Sequence, residues 1–262
     1  MSKYKYLIVD LDGVVWRGFT PLTNNISVLK KLAEKGIKIL FLTNNSTRSR
    51  HEYLEKLSKY SFKISLESII TSGYLAAEYV KNLGGRKVFV VGEAGLYYEL
   101  VNAGLIPVTI GTSADHVVVG LDRFLTYNKI SYASRLIMEG ASFIASNCDK
   151  TYPVEDGVEP GAGSIVAMIS EAVGREPDII TGKPNPWVLD YIFDKYDVDR
   201  EEVLIIGDRM DTDVYMGYQR KVDTLYVLTG VGKLEDVNKY GFKPTFIARD
   251  LVEFIEKHKD LF

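Results

Sequence analysis

The stretch "YLIVDLDG", residues 6–13, places two aspartates at the end of an uncharged, mostly apolar run. Such a run is typical of a parallel strand that is buried on both faces, and Gly13 allows the chain to turn away behind it. Residues i and i+2 of an extended segment point to the same side, so Asp10 and Asp12 are expected to share one small volume beyond the strand. Two acids placed together need a cation or a shared proton.

Outward from this stretch, strand-like runs alternate with amphipathic segments along the chain. "PLTNNISVLKKLAEKG" (21–36) predicts a helix and "IKILFLTNN" (37–45) a second buried strand, which completes a βαβ unit. "DIITGKPNPWVLDYIFDKY" (178–196) and "EEVLIIGDRMDTDVYMGYQRK" (201–221) repeat the order of strand and helix. This alternation predicts an α/β fold with a doubly wound, Rossmann-like parallel sheet.

Between these two halves lies a block with an alternation of its own, which predicts a smaller α/β domain inserted into the first. We assign residues 1–80 and 180–262 to a catalytic core and residues 81–179 to an inserted cap domain. The glycine-rich "NLGGRK" (82–87) and "GREPD" (174–178) are the expected crossing points, because domain junctions favour turns and few contacts.

Composition excludes several classes of protein. The 262 residues are 46% apolar and 26% charged, as in an ordinary globular protein, and no apolar run is long enough to cross a membrane. A net charge of −3 from 32 basic and 35 acidic residues, without a basic stripe, argues against a nucleic-acid partner. The first apolar run belongs to the fold and lacks the pattern of a signal peptide, so we expect a cytoplasmic protein. One cysteine and three histidines make a zinc cluster improbable, which favours a hard metal ion.

Polar side chains follow four of the predicted strands. In an open α/β sheet, ligands bind beyond the carboxyl ends of the strands. Each polar group has an ordinary explanation by itself, as a turn, a helix cap, a solvated lysine or a charged helix start. Their coincidence at strand ends predicts a single site, formed by Asp10 and Asp12, by Thr43 with Asn44 and Asn45, by Lys183, and by Asp208 with Asp211 and Asp213.

These residue types together indicate phosphoryl transfer. Asp10, Asp208 and a backbone carbonyl offer the oxygen ligands that Mg²⁺ prefers. Asp10 can act as the nucleophile and form an aspartyl-phosphate, while Asp12 protonates the leaving alcohol and then activates the attacking water. The Thr43 hydroxyl, loop amides and Lys183 can hold the phosphoryl oxygens, since catalysis of this reaction rests on positioning and electrostatics.

Four motifs resemble those of the haloacid dehalogenase superfamily of aspartate-nucleophile phosphatases: "DLDGV" (10–14), "LTNNS" (42–46), "GKP" (182–184) and "GDRMDTD" (207–213). The chain is most similar to the NagD-like branch, which includes p-nitrophenyl phosphatases and phosphoglycolate phosphatases. The segments typical of that branch lie in the inserted block and are "HVVVGLD" (116–122), "ASNCDKTYP" (145–153) and "EPGAGSIVAMI" (159–169). The resemblance covers nearly the whole chain.

The resemblance implies a role for each matching residue. It implies Asp10 as nucleophile, Asp12 as acid/base and as a metal ligand through its backbone, Asp208 as a metal ligand, and Thr43, Asn44 and Lys183 as phosphate ligands. Asp213 falls where the family has an acid that supports the metal ligands or the lysine. Asn147 and Asp149 either contact the leaving group, and so select the substrate, or order a loop.

The expected function is Mg²⁺-dependent hydrolysis of small phosphorylated metabolites. p-Nitrophenyl phosphate is the expected substrate in vitro, and phosphoglycolate, glycerol phosphate and sugar phosphates are the candidate natural substrates. The alternative is a receiver-like signalling module that holds a long-lived aspartyl-phosphate, although Asp12 and the long insertion favour rapid turnover. The sequence leaves the oligomeric state open, a homodimer included.

Overall fold

The computed structural model describes residues 2–154 and 157–262. The described strands are β1 (Tyr6–Val9), β2 (Trp16–Arg17), β3 (Thr20–Pro21), β4 (Lys38–Thr43), β5 (Ile69–Thr71), β6 (Lys87–Val91), β7 (Ile106–Val108), β8 (His116–Val119), β9 (Ser142–Ala145), β10 (Thr151–Val154), β11 (Gly157–Pro160), β12 (Ile179–Ile180), β13 (Val203–Gly207), β14 (Asp223–Val227) and β15 (Phe246–Ala248).

The α-helices of the same residues are α1 (Thr23–Glu34), α2 (Arg50–Ser58), α3 (Ser72–Leu83), α4 (Ala94–Asn102), α5 (Tyr127–Met138), α6 (Ala162–Val173), α7 (Trp187–Tyr196), α8 (Tyr215–Arg220) and α9 (Leu251–Lys257). A π-helix at Met210–Val214 leads directly into α8. Short 3₁₀ turns cover Leu66–Ser68, Arg200–Glu202, Leu234–Asn238 and Lys259–Leu261.

The chain forms two compact units. Among the described residues, the first contains 2–42, 57–69 and 183–262, and the second contains 43–56, 70–154 and 157–182. Residues 43–56, 70–80 and 180–182, which were predicted in the core, therefore belong to the second unit. The assignment of a catalytic core and a cap by function stays a prediction.

The main sheet has six strands in the order β15-β14-β13-β1-β4-β5. Strand β1 lies between β13 and β4 and is parallel to both, with Val9 opposite Ile206 on one side and Phe41 on the other. The strand order therefore reverses beside β1, which is the switch point at which open α/β sheets bind ligands. The predicted doubly wound α/β fold is confirmed.

Strands β1 and β13 are buried along their whole lengths. An uninterrupted apolar run suits this position, because side chains on both faces of a central parallel strand are removed from water. Both runs end in a polar residue, Asp10 after β1 and Asp208 after β13. The register of the two strands thus brings their carboxyl ends to the same level.

The second unit contains a parallel sheet of five strands in the order β12-β9-β8-β6-β7. Alternate residues of its strands face opposite helices, as the two-residue period of a strand requires. Val88, Val118 and Ile144 pack with residues of α3 and α4. Phe89, Val117 and Phe143 pack with residues of α5 and α6. This sheet is the smaller α/β element predicted for the insertion.

Strand β12 was expected in the main sheet, just before Lys183, and that prediction is wrong. Ile179 lies opposite Ile144 and Ile180 opposite Ala145, so β12 is an edge strand of the five-stranded sheet. A short apolar run can form an edge strand in either sheet, so its sequence alone does not show which sheet it joins.

Two short hairpins have no predicted counterpart in the sequence patterns. Strands β2 and β3 pair antiparallel, as do β10 and β11. Among the described residues, no helix is long and apolar enough to cross a membrane.

Asn25 links two backbone segments in the first unit, and we expect Asn25→Ala to destabilise the protein. The buried side chain donates from Nδ2 to the Val14 carbonyl at 2.9 Å, and its Oδ1 accepts from the Leu251 N–H at 3.0 Å. Because both backbone groups would lose their partner, the free energy of unfolding should fall by about 2 kcal/mol or more. Urea denaturation measures the change. The neighbouring exposed Asn24→Ala is the control, and equal midpoints for the two variants would contradict the assignment.

Candidate active site

Three buried carboxylates meet at the end of the main sheet. Asp10, Asp208 and Asp213 are 8%, 3% and 2% exposed. One carboxylate oxygen from each lies within 4.8 Å of the others. The arrangement offers a set of oxygen ligands inside a largely dry environment.

Strand register places the first two acids. The Asp10 N–H donates to the Ile206 carbonyl at 2.9 Å, which continues the pairing of β1 with β13 by one residue. Asp208 follows Gly207, the last residue of β13. Asp213 comes from the π-helix that begins two residues after Asp208. The "GDRMDTD" motif therefore supplies two members of the cluster, one just after the strand and one from the π-helix that follows it.

Lys183 joins two of the acids. Its Nζ lies 2.8 Å from Asp10 Oδ1 and 2.7 Å from Asp213 Oδ1, and it donates to the Leu42 carbonyl at 3.3 Å. Burial alone would lower the pKa of Lys183, but the attraction of Asp10 and Asp213 outweighs it and raises that pKa. The ammonium group thus stays protonated and fixes the position of the Asp10 carboxylate.

Asp208 is held by a loop that the sequence analysis missed. Its Oδ2 accepts from the Val231 N–H at 2.6 Å. A Cβ atom on Gly230 would lie 1.8 Å from the same oxygen, and one on Gly13 would lie 2.5 Å from it. The glycine-rich stretch "TGVG" (229–232) could have indicated this loop, because it lies just beyond β14, at the carboxyl end of another strand of the main sheet.

Asp12 lies beside the cluster without belonging to it. Within the part of the chain that the structure describes, its carboxylate is not among the three that meet within 4.8 Å. Its Oδ1 accepts from the indole Nε1–H of Trp16 at 2.9 Å, and Trp16 is fully buried. The two acids of "DLD" therefore have different surroundings: Asp10 faces a lysine, and Asp12 faces a neutral donor.

The electrostatics of the cluster favour a cation. Burial, with the nearby Asp213, Asp208 and Asp12, raises the pKa of Asp10 well above its usual range against the opposing effect of Lys183. Burial and the charge of Asp213 raise the pKa of Asp208 to about 6. Three carboxylates face one ammonium group, so the fully ionised cluster carries excess negative charge. A divalent cation would compensate it, and the all-oxygen donor set fits a hard ion such as Mg²⁺.

Of the other predicted site residues, Asp211 lies in the first unit, outside the three-acid cluster, where it pairs with Arg209 at 2.9 Å. Thr43, Asn44, Asn45, Asn147 and Asp149 lie in the second unit. Thr43 is the last residue of β4 and is buried, and its Oγ1 accepts from the Asn45 N–H at 3.1 Å. Asn44 donates from Nδ2 to Asp149 Oδ2 at 3.1 Å, and Asn147 donates from Nδ2 to the Asn44 carbonyl at 2.8 Å. The structure thus brings Asn44, Asn147 and Asp149 together. The phosphate-binding role of Thr43 and Asn44 stays a prediction.

Comparisons with known proteins agree with the motifs. A family model described as haloacid dehalogenase-like hydrolase matches residues 7–106, and a HAD-hydrolase-like model matches residues 180–254. The chain is 36% identical to an acid sugar phosphatase of Staphylococcus aureus over 256 residues, which are 97% of this chain and 98% of the relative.

Two solved structures extend the comparison. A p-nitrophenyl phosphatase from Archaeoglobus fulgidus is 35% identical, with a TM-score of 0.92 over 97% of this chain and 99% of that one. A glycerol phosphate phosphatase from Mycobacterium tuberculosis, solved in complex with magnesium, is 32% identical, with a TM-score of 0.87 over 97% of this chain and 78% of that one.

We expect Gly230→Ala to weaken cation binding, because the new methyl group would occupy the place of Asp208 Oδ2. Displacing a group that orients a metal ligand typically lowers metal affinity by about 10- to 100-fold. Titration calorimetry with Mg²⁺ measures the change. Gly241→Ala is the matched control, since a Cβ atom there would meet nothing within 4 Å. Wild-type affinity in a folded Gly230→Ala protein would show that this loop does not position Asp208.

Proposed function

The chain belongs to the haloacid dehalogenase-like hydrolase family, in its NagD-like phosphatase branch, and on that premise we propose that it hydrolyses small phosphate monoesters in an Mg²⁺-dependent reaction. The observation that carries the proposal is the buried cluster of Asp10, Lys183, Asp208 and Asp213 at the switch point of the main sheet. A nucleophile, a fixed cation and a set of oxygen ligands are the parts that phosphoryl transfer needs.

The cluster fits a resident Mg²⁺ ion. Asp10 and Asp208 would hold it through their carboxylates and Asp12 through its backbone carbonyl, and Asp213 would support these ligands through its ion pair with Lys183. When bound, such an ion offsets the charge of the transferring phosphoryl group. The relative from Mycobacterium tuberculosis, which was solved with magnesium, supports this choice of metal.

Asp10 is the proposed nucleophile. Lys183 fixes one of its carboxylate oxygens, and the carboxylate attacks phosphorus while the bond from phosphorus to the ester oxygen breaks. The products of this step are the aspartyl-phosphate of Asp10 and the leaving alcohol. Water then attacks phosphorus, which releases inorganic phosphate and regenerates the carboxylate. Asp213 keeps Lys183 protonated throughout, because it forms the second ion pair of that ammonium group.

Asp12 is the proposed general acid and base. In the first step it gives a proton to the departing ester oxygen, and in the second it takes a proton from the attacking water. The Trp16 indole donates to Oδ1 of Asp12 and so orients this carboxylate. The motif pairs two acids because their roles differ: Asp10 attacks phosphorus, and Asp12 transfers protons.

The relatives narrow the substrate class. The curated relative is an acid sugar phosphatase, and the structural neighbours act on p-nitrophenyl phosphate and glycerol phosphate according to their names. We therefore propose sugar phosphates and glycerol phosphate as natural substrates, with phosphoglycolate as a further candidate. Under the same proposal, residues 81–179 form the cap that selects the leaving group. A receiver-like signalling role is not retained, because the relatives that match nearly the whole chain are phosphatases.

The purified protein should hydrolyse p-nitrophenyl phosphate with added Mg²⁺ and lose this activity after exhaustive chelation, because the excess charge of the acid cluster would oppose the anionic substrate. Release of nitrophenolate measures the rate. Restoring Mg²⁺ should restore the rate, and Asp10→Asn should abolish turnover in the same assay. Undiminished activity in the chelated enzyme, or near wild-type turnover by Asp10→Asn, would contradict the proposal.

Asp12→Asn should slow hydrolysis of glycerol phosphate more than that of p-nitrophenyl phosphate, since nitrophenolate leaves without much help from an acid. Acid assistance is worth about 10²- to 10⁴-fold in rate. Trp16→Phe should shift the ratio of the two rates in the same direction by a smaller factor, because it removes the indole donor and keeps the Asp12 carboxylate. Trp187→Phe, at the first residue of α7, is the control for the substitution itself. Equal losses on both substrates would assign Asp12 to metal binding or folding alone.

A further inference from the structure

Asn44 is fixed at two points by groups of the second unit. Its carbonyl accepts from Asn147 Nδ2 at 2.8 Å and from the Ser72 hydroxyl at 2.5 Å. Its side-chain amide donates to Asp149 Oδ2 at 3.1 Å. Both the backbone and the side chain of this one loop residue are therefore held in place.

The groups that hold Asn44 are themselves anchored. Asn147 Oδ1 accepts from the Asp149 N–H at 3.1 Å, so the two side chains are set relative to each other. The Asp149 carbonyl accepts from the Gly163 N–H in the first turn of α6 at 2.9 Å. A Cβ atom on Gly161 would lie 2.2 Å from that carbonyl oxygen, so the close approach of α6 requires glycine. The segment 147–149 is thus anchored by α6 as well as by the end of β9.

Gly182 packs closely against the same hydrogen-bonded network. A Cβ atom there would lie 2.5 Å from the Ser146 carbonyl oxygen and 2.7 Å from Asn44 Oδ1. The glycine of the "GKP" motif therefore leaves room for Asn44. Ser146 also donates to the Ser46 hydroxyl at 3.3 Å, a second link from the end of β9 to the loop that follows β4.

We propose that Asn147 and Asp149 are positioning residues that hold the Thr43–Asn45 loop in its phosphate-binding conformation. The inference rests on the proposed function and on the phosphate-binding role that the family resemblance implies for Thr43 and Asn44. Asn147 is buried, and both polar atoms of its side chain are hydrogen-bonded within this network. Its side chain is therefore engaged with the loop itself. Of the two roles that the sequence left open, the contacts support loop ordering.

The two possible roles of these residues predict different effects on ester hydrolysis and on anion binding. A residue that contacts the leaving group changes the ranking of esters and leaves the binding of a bare anion unaltered. A residue that orders a phosphate-binding loop weakens every phosphate ester and the bare anion together. Loss of one buried hydrogen bond of this kind corresponds to a change of about tenfold in binding.

The test uses the full chain with Asn147→Ala, Asp149→Ala, Asp149→Asn and, as control, Asn128→Ala on the exposed face of α5. The measurements are kcat and KM for p-nitrophenyl phosphate, glycerol phosphate and a hexose phosphate, and the inhibition constant of orthovanadate. Asn147→Ala and Asp149→Ala should raise all three KM values and the vanadate constant by about tenfold, without changing the ranking of the esters. Asp149→Asn should recover most of the loss, because its amide oxygen can accept the same hydrogen bond from Asn44. Asn128→Ala should match the wild type.

A changed ranking of the esters with a wild-type vanadate constant would overturn the inference and assign these residues to the leaving group. Equal damage by Asp149→Ala and Asp149→Asn would overturn it for Asp149, because charge and not the hydrogen bond would then matter. Asp149 is half-buried, so its two variants keep the test decisive if Asn147→Ala does not fold. A wild-type protein that hydrolyses none of the esters would refute the proposed function, whereas an active wild type with unaffected variants would refute the positioning role alone.

Discussion

The site depends on one interaction, the buried ammonium group of Lys183 between Asp10 and Asp213. Removing a lysine and two carboxylates from water is costly, and such a cluster is tolerated only when the charges pair at short range and the remaining polar atoms are hydrogen-bonded. Here the distances are 2.7 and 2.8 Å, and the lysine also reaches the Leu42 carbonyl. The three carboxylates carry more charge than the one ammonium group balances, so the cluster is suited to a divalent cation.

Backbone geometry maintains this concentration of charge. Parallel pairing of β1 with β13 sets the backbone of Asp10 and Asp208 at the same end of the main sheet. The glycines at positions 13 and 230 then allow backbone to close against Asp208, where any larger residue would meet its carboxylate. The acids are thus held together by a sheet that is stabilised elsewhere, through burial of its apolar strands.

The second unit shows the same principle with hydrogen bonds in place of ion pairs. Asn44, Asn147 and Asp149 form a hydrogen-bonded group at the end of β9, and glycines allow the close approaches around it. Asp149 is the charged member of this group, and its carboxylate accepts from the side-chain amide of Asn44. Binding residues on loops are positioned in this way by the more rigid structure around them.

Patterns along the chain were enough to predict the fold class, the family and the acids of the main site. Apolar runs that end in Asp10 or Asp208 carry this information locally, because a buried parallel strand needs a continuous apolar run and its carboxyl end is where ligands bind. Three features became visible only in the folded chain: β12 joins the five-stranded sheet, Asp213 shares Lys183 with Asp10, and the loop at 229–232 holds Asp208. These features depend on contacts between residues far apart in the chain, and no local pattern of residue types specifies which distant partner a short strand, a carboxylate or a glycine will meet.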